Sequence, residues 1–356
     1  MMAAIKDALV MARTYVQGGY PPYVRSGAIR EDDLIAFVYH DVQADALEPH
    51  LRYLRENGYE TITCDEAVER RRARGHDRTV LLTFDDGLAS LYEQVYPILR
   101  AYRMRAVAYI APAWIGRPGF LTWEQCREMH RSGLFDFQSH SNAHDRVVTR
   151  PTVEGIWIRR RPGHVPWGLP GITPEMLDRG VRWLPVLPGA SRFEDAPRVR
   201  LPDTFWEECL HAQPAAGRDA RALRRLAQEL LRRHARPGAY EVERHTLERM
   251  VESLEASRQA IERELAGHRV RHFAFPWMKS SATAWTALER CGFASGAIGL
   301  FTPDEPGATA APGLLRIHRV NGDYCLALPG RGRQSFFRVT AAKARRRIAG
   351  ANPYGL

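Results

Sequence analysis

Paired cysteines are missing from this sequence. Its five, Cys64, Cys126, Cys209, Cys291 and Cys325, are odd in number, widely spaced and free of any Cys-x-x-Cys pair. That excludes a disulfide framework and predicts buried free thiols in a reducing compartment. Long apolar runs are missing too, and no stretch reaches the length needed to cross a bilayer. Between Met1 and Val16 the apolar residues are interrupted by Lys6, Asp7 and Arg13, which is too polar for a secretory core. Ile5, Leu9 and Val16 fall on one side of a short amphipathic helix, expected to pack on its own domain. The resulting expectation is a cytoplasmic protein. Internal repeats and known RNA-binding motifs are absent, so nucleic acid is not an expected partner. Acidic residues are outnumbered, 41 against 51 Lys and Arg, for a formal charge of +10. The plain reading is a well-solvated, arginine-rich surface. The sharper one is peripheral contact with an anionic partner at the inner face of a membrane.

What is present is a rhythm. Short apolar runs at 34–39, 80–84, 106–110, 135–138, 271–275, 296–299 and 314–317 predict strands. Amphipathic patterns at 47–57, 64–74, 88–102, 122–132, 246–266 and 282–291 predict helices between them. Strand and helix in alternation imply an α/β fold, a parallel sheet with helices outside. The stretch 149–240 breaks the rhythm. It opens Pro/Gly/Trp-rich and then shows helical patterns at 205–210 and 220–234, so it reads as a mainly helical and irregular insertion. Residues 1–33 form an N-terminal segment and 326–356 a basic tail.

Thr83-Phe84-Asp85-Asp86-Gly87 closes the second of these strands. Adjacent strand residues point to opposite faces, so both carboxylates meet one target only by way of a turn, which Gly87 permits. Two close carboxylates need a cation between them, or one must be protonated. His140-Ser141-Asn142-Ala143-His144 follows the fourth strand, with two histidines four apart. Two imidazoles and one carboxylate leave room for water, the pattern of a catalytic rather than a structural zinc. The spare carboxylate is a natural general base.

These two motifs together resemble those of the polysaccharide deacetylases (carbohydrate esterase family four), especially the poly-N-acetylglucosamine branch. Supporting stretches are Phe37-Val38-Tyr39-His40-Asp41-Val42, Leu51 to Tyr59, Phe273-Ala274-Phe275-Pro276-Trp277 and Leu314 to Val320. The resemblance implies a distorted, incomplete (β/α) barrel of about seven strands, built from 34–148 and 241–325, with the site at the C-terminal strand ends. It implies removal of an N-acetyl group from an amino-sugar glycan or glycolipid with a divalent metal, zinc by default and cobalt or nickel as substitutes. Asp85 then becomes the base, and Asp86, His140 and His144 the ligands. His318 is the candidate general acid, although Arg316 stands where relatives have an apolar residue. Many relatives, though not the poly-N-acetylglucosamine branch, carry an arginine just before the proline of the third motif to orient the base. This chain has Ala274-Phe275 there, which leaves that role unassigned, and Met278 where many have glycine.

The insertion follows His144 directly, so it hangs from the rim of the site as a cleft wall or a covering subdomain. Trp157, Trp167 and Trp183 are candidate sugar-stacking residues, as is the wall Pro276-Trp277, and His40 is a candidate pocket residue. The backbone N–H groups after Ile110 are candidate oxyanion donors. Asp145 either orients His144 or caps a loop. Arginines at 221, 224, 225, 232 and 233 read as a solvated helix face, and His50, His76, His211, His234 and His245 as surface residues. Two rival readings keep the cleft: a deformylase or deacetylase of a lipid- or nucleotide-linked sugar, and a silent glycan-binding module.

Overall fold

A computed structural model describes residues 14–30, 33–73, 78–159, 167–212, 219–234, 241–242, 246–300 and 313–348. Its centre is a nearly closed barrel of parallel strands. In sheet order these are Leu315–His318, Ser295–Ile298, His272–Ala274, Phe135–Ser139, Ala106–Ile110, Thr79–Phe84, Ile35–Tyr39 and Val320–Asn321, with Glu60–Thr61 pairing beside Thr79–Phe84. All seven expected strands are present. The eighth comes from one stretch of chain used twice. Residues 315–318 pair with 295–298, and after Arg319 the chain pairs Val320 with Phe37 and Asn321 with Val38. The segment bonds one neighbour with its first half and the opposite edge with its second.

Most of the strands are apolar on both faces because both faces are covered. Ala36, Leu81, Val107, Tyr109, Ala274, Ala297 and Ile317 fill the barrel interior. The opposite faces pack against the helices through Phe37, Leu82, Ala108, Phe137 and Phe273. The helix Trp123–Arg131 begins with a capping box: Thr122 Oγ1 accepts from the Gln125 N–H, and Gln125 accepts from the Thr122 N–H. The helix expected over 88–102 is not uniform. It opens as a π-turn, Leu91–Val95, and continues as the α-helix Tyr96–Tyr102. The Tyr96 N–H reaches back five residues to Leu91, and Pro97 next to it has no N–H to give, so the widened turn is tolerated there.

The insertion carries its own core. Ile172, Leu177, Val181, Trp183, Leu184, Phe205, Trp206, Leu223, Ala227, Leu230 and Leu231 pack together and against Ala111, Trp114 and Phe120 beside the barrel mouth. Besides the helices Asp203–His211 and Ala220–His234 it contains a short antiparallel pair, Gly155–Ile158 with Trp183–Val186, and its strand Gly189–Ser191 pairs with Arg146–Val148 just ahead of it. The helix Ala220–His234 turns its leucines inward and leaves Arg221, Arg224, Arg225, Arg232 and Arg233 on the surface.

Several expectations are corrected. His50 is buried, at 4% exposure, with Tyr39 Oη 3.1 Å from its Nδ1. It shares a helix face with Leu47, Leu51 and Leu54, all buried. Trp183 is not a sugar platform; it lies in the insertion core with Nε1–H donating to the Ala212 carbonyl, and Trp157 packs against the same core. Val16 is 82% exposed and does not pack inward. Ile5, Leu9, His76 and His245 lie outside the described residues. All five cysteines are free and buried, and burial pushes their thiols upward, to about 12 for Cys126, Cys209 and Cys291.

Candidate metal and catalytic site

The carboxylates and imidazoles meet where the strands end. Asp85 follows directly on Phe84, and its N–H donates to the Tyr39 carbonyl, so it still belongs to the sheet. Asp86 then turns away with φ +76°, and Gly87 follows at +78°. A Cβ on Gly87 would sit 3.0 Å from both Ile110 and Ile115, so only glycine fits this turn. On the histidine side, Ser141 has φ +66° and His144 +51°. Trp277 and Met278 are also left-handed, at +61° and +55°, Met278 standing where glycine would be unstrained. Among the described residues, five of the six non-glycine residues with positive φ therefore surround this site, and the sixth, Arg103, ends a helix. Strain of this kind costs on the order of 1–3 kcal/mol per residue and persists where the surroundings enforce it.

Asp86, His140 and His144 are all buried, and one donor atom from each lies within 4.8 Å of the others. Asp86 Oδ1 is 3.4 Å from the Nε2 of both histidines. These contacts are long for hydrogen bonds, and Oδ1 is left without one. His140 Nδ1 lies 2.8 Å from the Ala274 carbonyl, an obligate acceptor. Nδ1 therefore carries the proton and Nε2 presents its lone pair to Asp86 and His144. An orphaned carboxylate oxygen facing two imidazole nitrogens is a donor set that suits a divalent first-row ion. Burial opposes charge on Asp86, but His140 and His144 outweigh it and hold the carboxyl below its usual range. Burial pulls His144 down to about 4, while Asp85 and Asp86 outweigh burial at His140 and raise it.

Asp85 is held by a residue that sequence reasoning missed. Arg319, 1% exposed, meets it in a bidentate pair, Nη1 to Oδ1 at 2.6 Å and Nη2 to Oδ2 at 2.8 Å. Nη1 also donates to Thr83 Oγ1 at 3.1 Å. Burial favours the neutral acid, but the guanidinium outweighs it and holds Asp85 below the ordinary carboxylate range. An arginine thus grips both oxygens of the candidate base, the position for which Ala274-Phe275 offers none. The signal was parity: Leu315 and Ile317 face the interior, and Arg319 continues the same face. His318 falls on the other parity with Arg316, whose guanidinium lies 4.3 Å over the Trp285 ring on the outer helix layer. His318 Nδ1 is 3.3 Å from the Gly299 carbonyl. His40, half-buried at the end of its strand, has Nε2 3.9 Å from Asp85 Oδ2.

Aromatic residues wall the candidate ligands. Trp167 stacks on His144 at 4.6 Å and 18°, and its edge meets Trp114 at 4.4 Å. Trp277 lies 4.9 Å from His144, is 39% exposed, and has Arg146 5.5 Å over its ring. Pro276 beneath it is buried. The insertion thus touches the candidate ligand His144 through Trp167. Asp145 does not reach back to His144; Arg192 of the insertion takes its carboxylate through Nε at 2.7 Å. Of the candidate oxyanion donors, Pro112 has no N–H, and the amides of Ala113, Trp114 and Ile115 are spent on Asn142, Ala111 and Pro112.

Comparison with known proteins places this geometry. Residues 72–157 match the polysaccharide deacetylase family. A poly-β-1,6-N-acetyl-D-glucosamine N-deacetylase of Escherichia coli K12 is 33% identical over 140 residues, 34% of this chain and 21% of that protein. One of the same name from Staphylococcus aureus is 25% identical over 109 residues, 29% of this chain and 38% of that protein. The match thus spans well under half of either relative. Among solved structures, a de-N-acetylase from Aggregatibacter actinomycetemcomitans superposes with a TM-score of 0.51 at 18% identity, covering 81% of this chain and 95% of that one. The deacetylase domain of BpsB from Bordetella bronchiseptica gives 0.51 at 19%, covering 83% and 98%. These two likenesses establish the barrel fold.

Proposed function

From a chain that carries the polysaccharide deacetylase signature over residues 72–157, we propose a metal-dependent hydrolase that removes N-acetyl groups from amino sugars of a poly-N-acetylglucosamine-type glycan. The observation that carries this reading is the buried trio Asp86, His140 and His144 with Asp85 beside it, clamped by Arg319.

Asp86 Oδ1, His140 Nε2 and His144 Nε2 would hold the ion. Bound there, a divalent metal, zinc by default, supplies polarisation of the amide carbonyl and a water of lowered pKa. Asp85, ionised at neutral pH because Arg319 outweighs its burial, accepts the proton of the attacking water. Arg319 fixes both carboxylate oxygens, so the base keeps one orientation through the reaction. The Ala111 N–H is the loop amide left for the developing oxyanion, now that its neighbours are engaged. Protonation of the leaving amine falls to His40, partly solvent-accessible and close to Asp85, rather than to His318 on the opposite strand parity. Trp277, exposed at the rim, offers a face for the pyranose ring.

The test is acetate release from N-acetylglucosamine oligomers and amino-sugar glycolipids, with metal content measured alongside. Purified protein should carry about one divalent ion per chain, as a single three-ligand site requires. Asp85→Asn should retain the ion and lose about 10²–10⁴-fold in turnover, the usual contribution of a positioned base. His140→Ala should lose both. Tight glycan binding without acetate release by metal-loaded wild type would identify a silent binder and end the enzymatic reading.

A further inference from the structure

Four large apolar side chains are exposed among the described residues: Val16, Trp277, Phe337 and Ile348. Trp277 belongs to the site. The other three lie on two segments that touch, since Tyr15 stacks on Phe336 at 4.3 Å and meets Phe337 at 5.6 Å. Phe337 is 66% exposed and Ile348 62%.

The helix Phe336–Ile348 has two apolar faces. Phe336 and Val339 point inward, buried at 2% and 3%. Eleven residues make almost three whole turns, so Phe337 and Ile348 lie on one line along the outer side. Ala341 and Ala344 fall on that line between them, Ala341 exposed and Ala344 half-buried. Arg338 and Arg345, both exposed, form a second line roughly 80–100° away at the usual angular step. Among the described residues neither arginine is in an ion pair. The inward side is fixed instead by Arg346, which pairs with Asp323 just after the strand that closes the barrel.

We propose that this outer face docks the protein onto an anionic lipid bilayer. An apolar line with a parallel arginine line suits a helix lying in the interface plane, its rings and aliphatic groups among acyl chains and its guanidiniums at lipid phosphates. The formal charge of +10 strengthens the attraction. No helix among the described residues is long and apolar enough to cross a membrane, so the contact is peripheral. The inference is independent of the deacetylase reading.

The test is co-sedimentation of the full chain with vesicles of phosphatidylcholine alone and of phosphatidylcholine mixed with phosphatidylglycerol. Binding is expected only to the second, weakening as salt rises. Arg338→Gln with Arg345→Gln should weaken it about thirtyfold, at about 1 kcal/mol for each arginine near an anionic surface. Phe337→Ser with Ile348→Ser should weaken it by about tenfold or more, since the buried apolar area is lost. Both side chains are largely exposed, so the fold should survive, which circular dichroism checks. Equal binding to both vesicle types, or unchanged binding by both double variants, overturns the proposal. So does concentration-dependent dimerisation abolished by Phe337→Ser in a protein that ignores vesicles, or retention by RNA in its place.

Discussion

Replacing Arg319 with methionine keeps most of the side-chain volume and deletes one charge from the centre of the barrel. Asp85 would then be buried without its guanidinium, and desolvation, the largest influence on it, would be opposed only by the weaker pull of His140 and His40. Breaking a buried pair by removing one partner costs about 3–5 kcal/mol. In a chain of this size that corresponds to a fall in Tm on the order of 5–10 °C. The catalytic consequence is separate. The Asp85 carboxyl should climb from below its usual range toward neutrality, so the acid limb of the pH–rate profile moves up. Turnover at neutral pH should drop by about 10²-fold, the lower end of what a base contributes. Metal content should not change, because Arg319 is bonded to Asp85 and Thr83 and not to the three ligands. Arg319→Lys keeps the charge but not the two-pronged grip, and should fall between. Asp85→Asn combined with Arg319→Met should recover part of the lost stability, since no uncompensated charge remains. The assays are pH-resolved acetate release, metal analysis and thermal unfolding. An Arg319→Met enzyme with the parent pH profile would refute the reasoning, and loss of the metal in step with activity would show that the arginine acts through the fold instead.

Two further outcomes can be checked. Trp167→Ala removes the ring stacked on His144 and should weaken metal retention about tenfold in chelator competition, on the scale of other groups that position ligands; unchanged retention would make Trp167 a packing residue only. His50 is pulled by burial to about 4, below its ordinary 6.5. Between those values the unfolded chain binds more protons than the folded one, so stability should be full above about pH 6.5 and decline by about 3 kcal/mol by pH 4. His50→Asn should flatten part of that slope in denaturant titrations. The other charged groups around His50 are Asp323, which partly offsets the burial, and Arg346, which adds to it.

Most strands were legible because burial on both faces makes them short apolar runs, while 135–139 and 315–318 showed as alternating ones, all bounded to within a residue or two of the structure. That Asp86, His140 and His144 come together was legible because their residue types are rare together and sit at strand ends. Closure of the barrel was not, because it depends on a two-residue strand, Val320–Asn321, preceded by an arginine that reads as the end of an apolar run. Arg319 was hidden for the same reason, although its parity with Leu315 and Ile317 was in plain sight. His50 was misread as surface while its spacing from Leu47 and Leu54 placed it on the buried helix face. The role of the insertion was hidden because packing of Trp167 against His144 is a long-range contact that no local pattern encodes.

The double use of residues 315–321 ties the clamp on Asp85 to assembly. The guanidinium that steadies Asp85 travels on the very segment that seals the wall, so an open cylinder holds that acid without its strongest counter-charge. Only when that piece seats between its two neighbours do the seam and the grip on Asp85 fall into place together, so under the proposed function a chain with every other strand in position would still lack an oriented base.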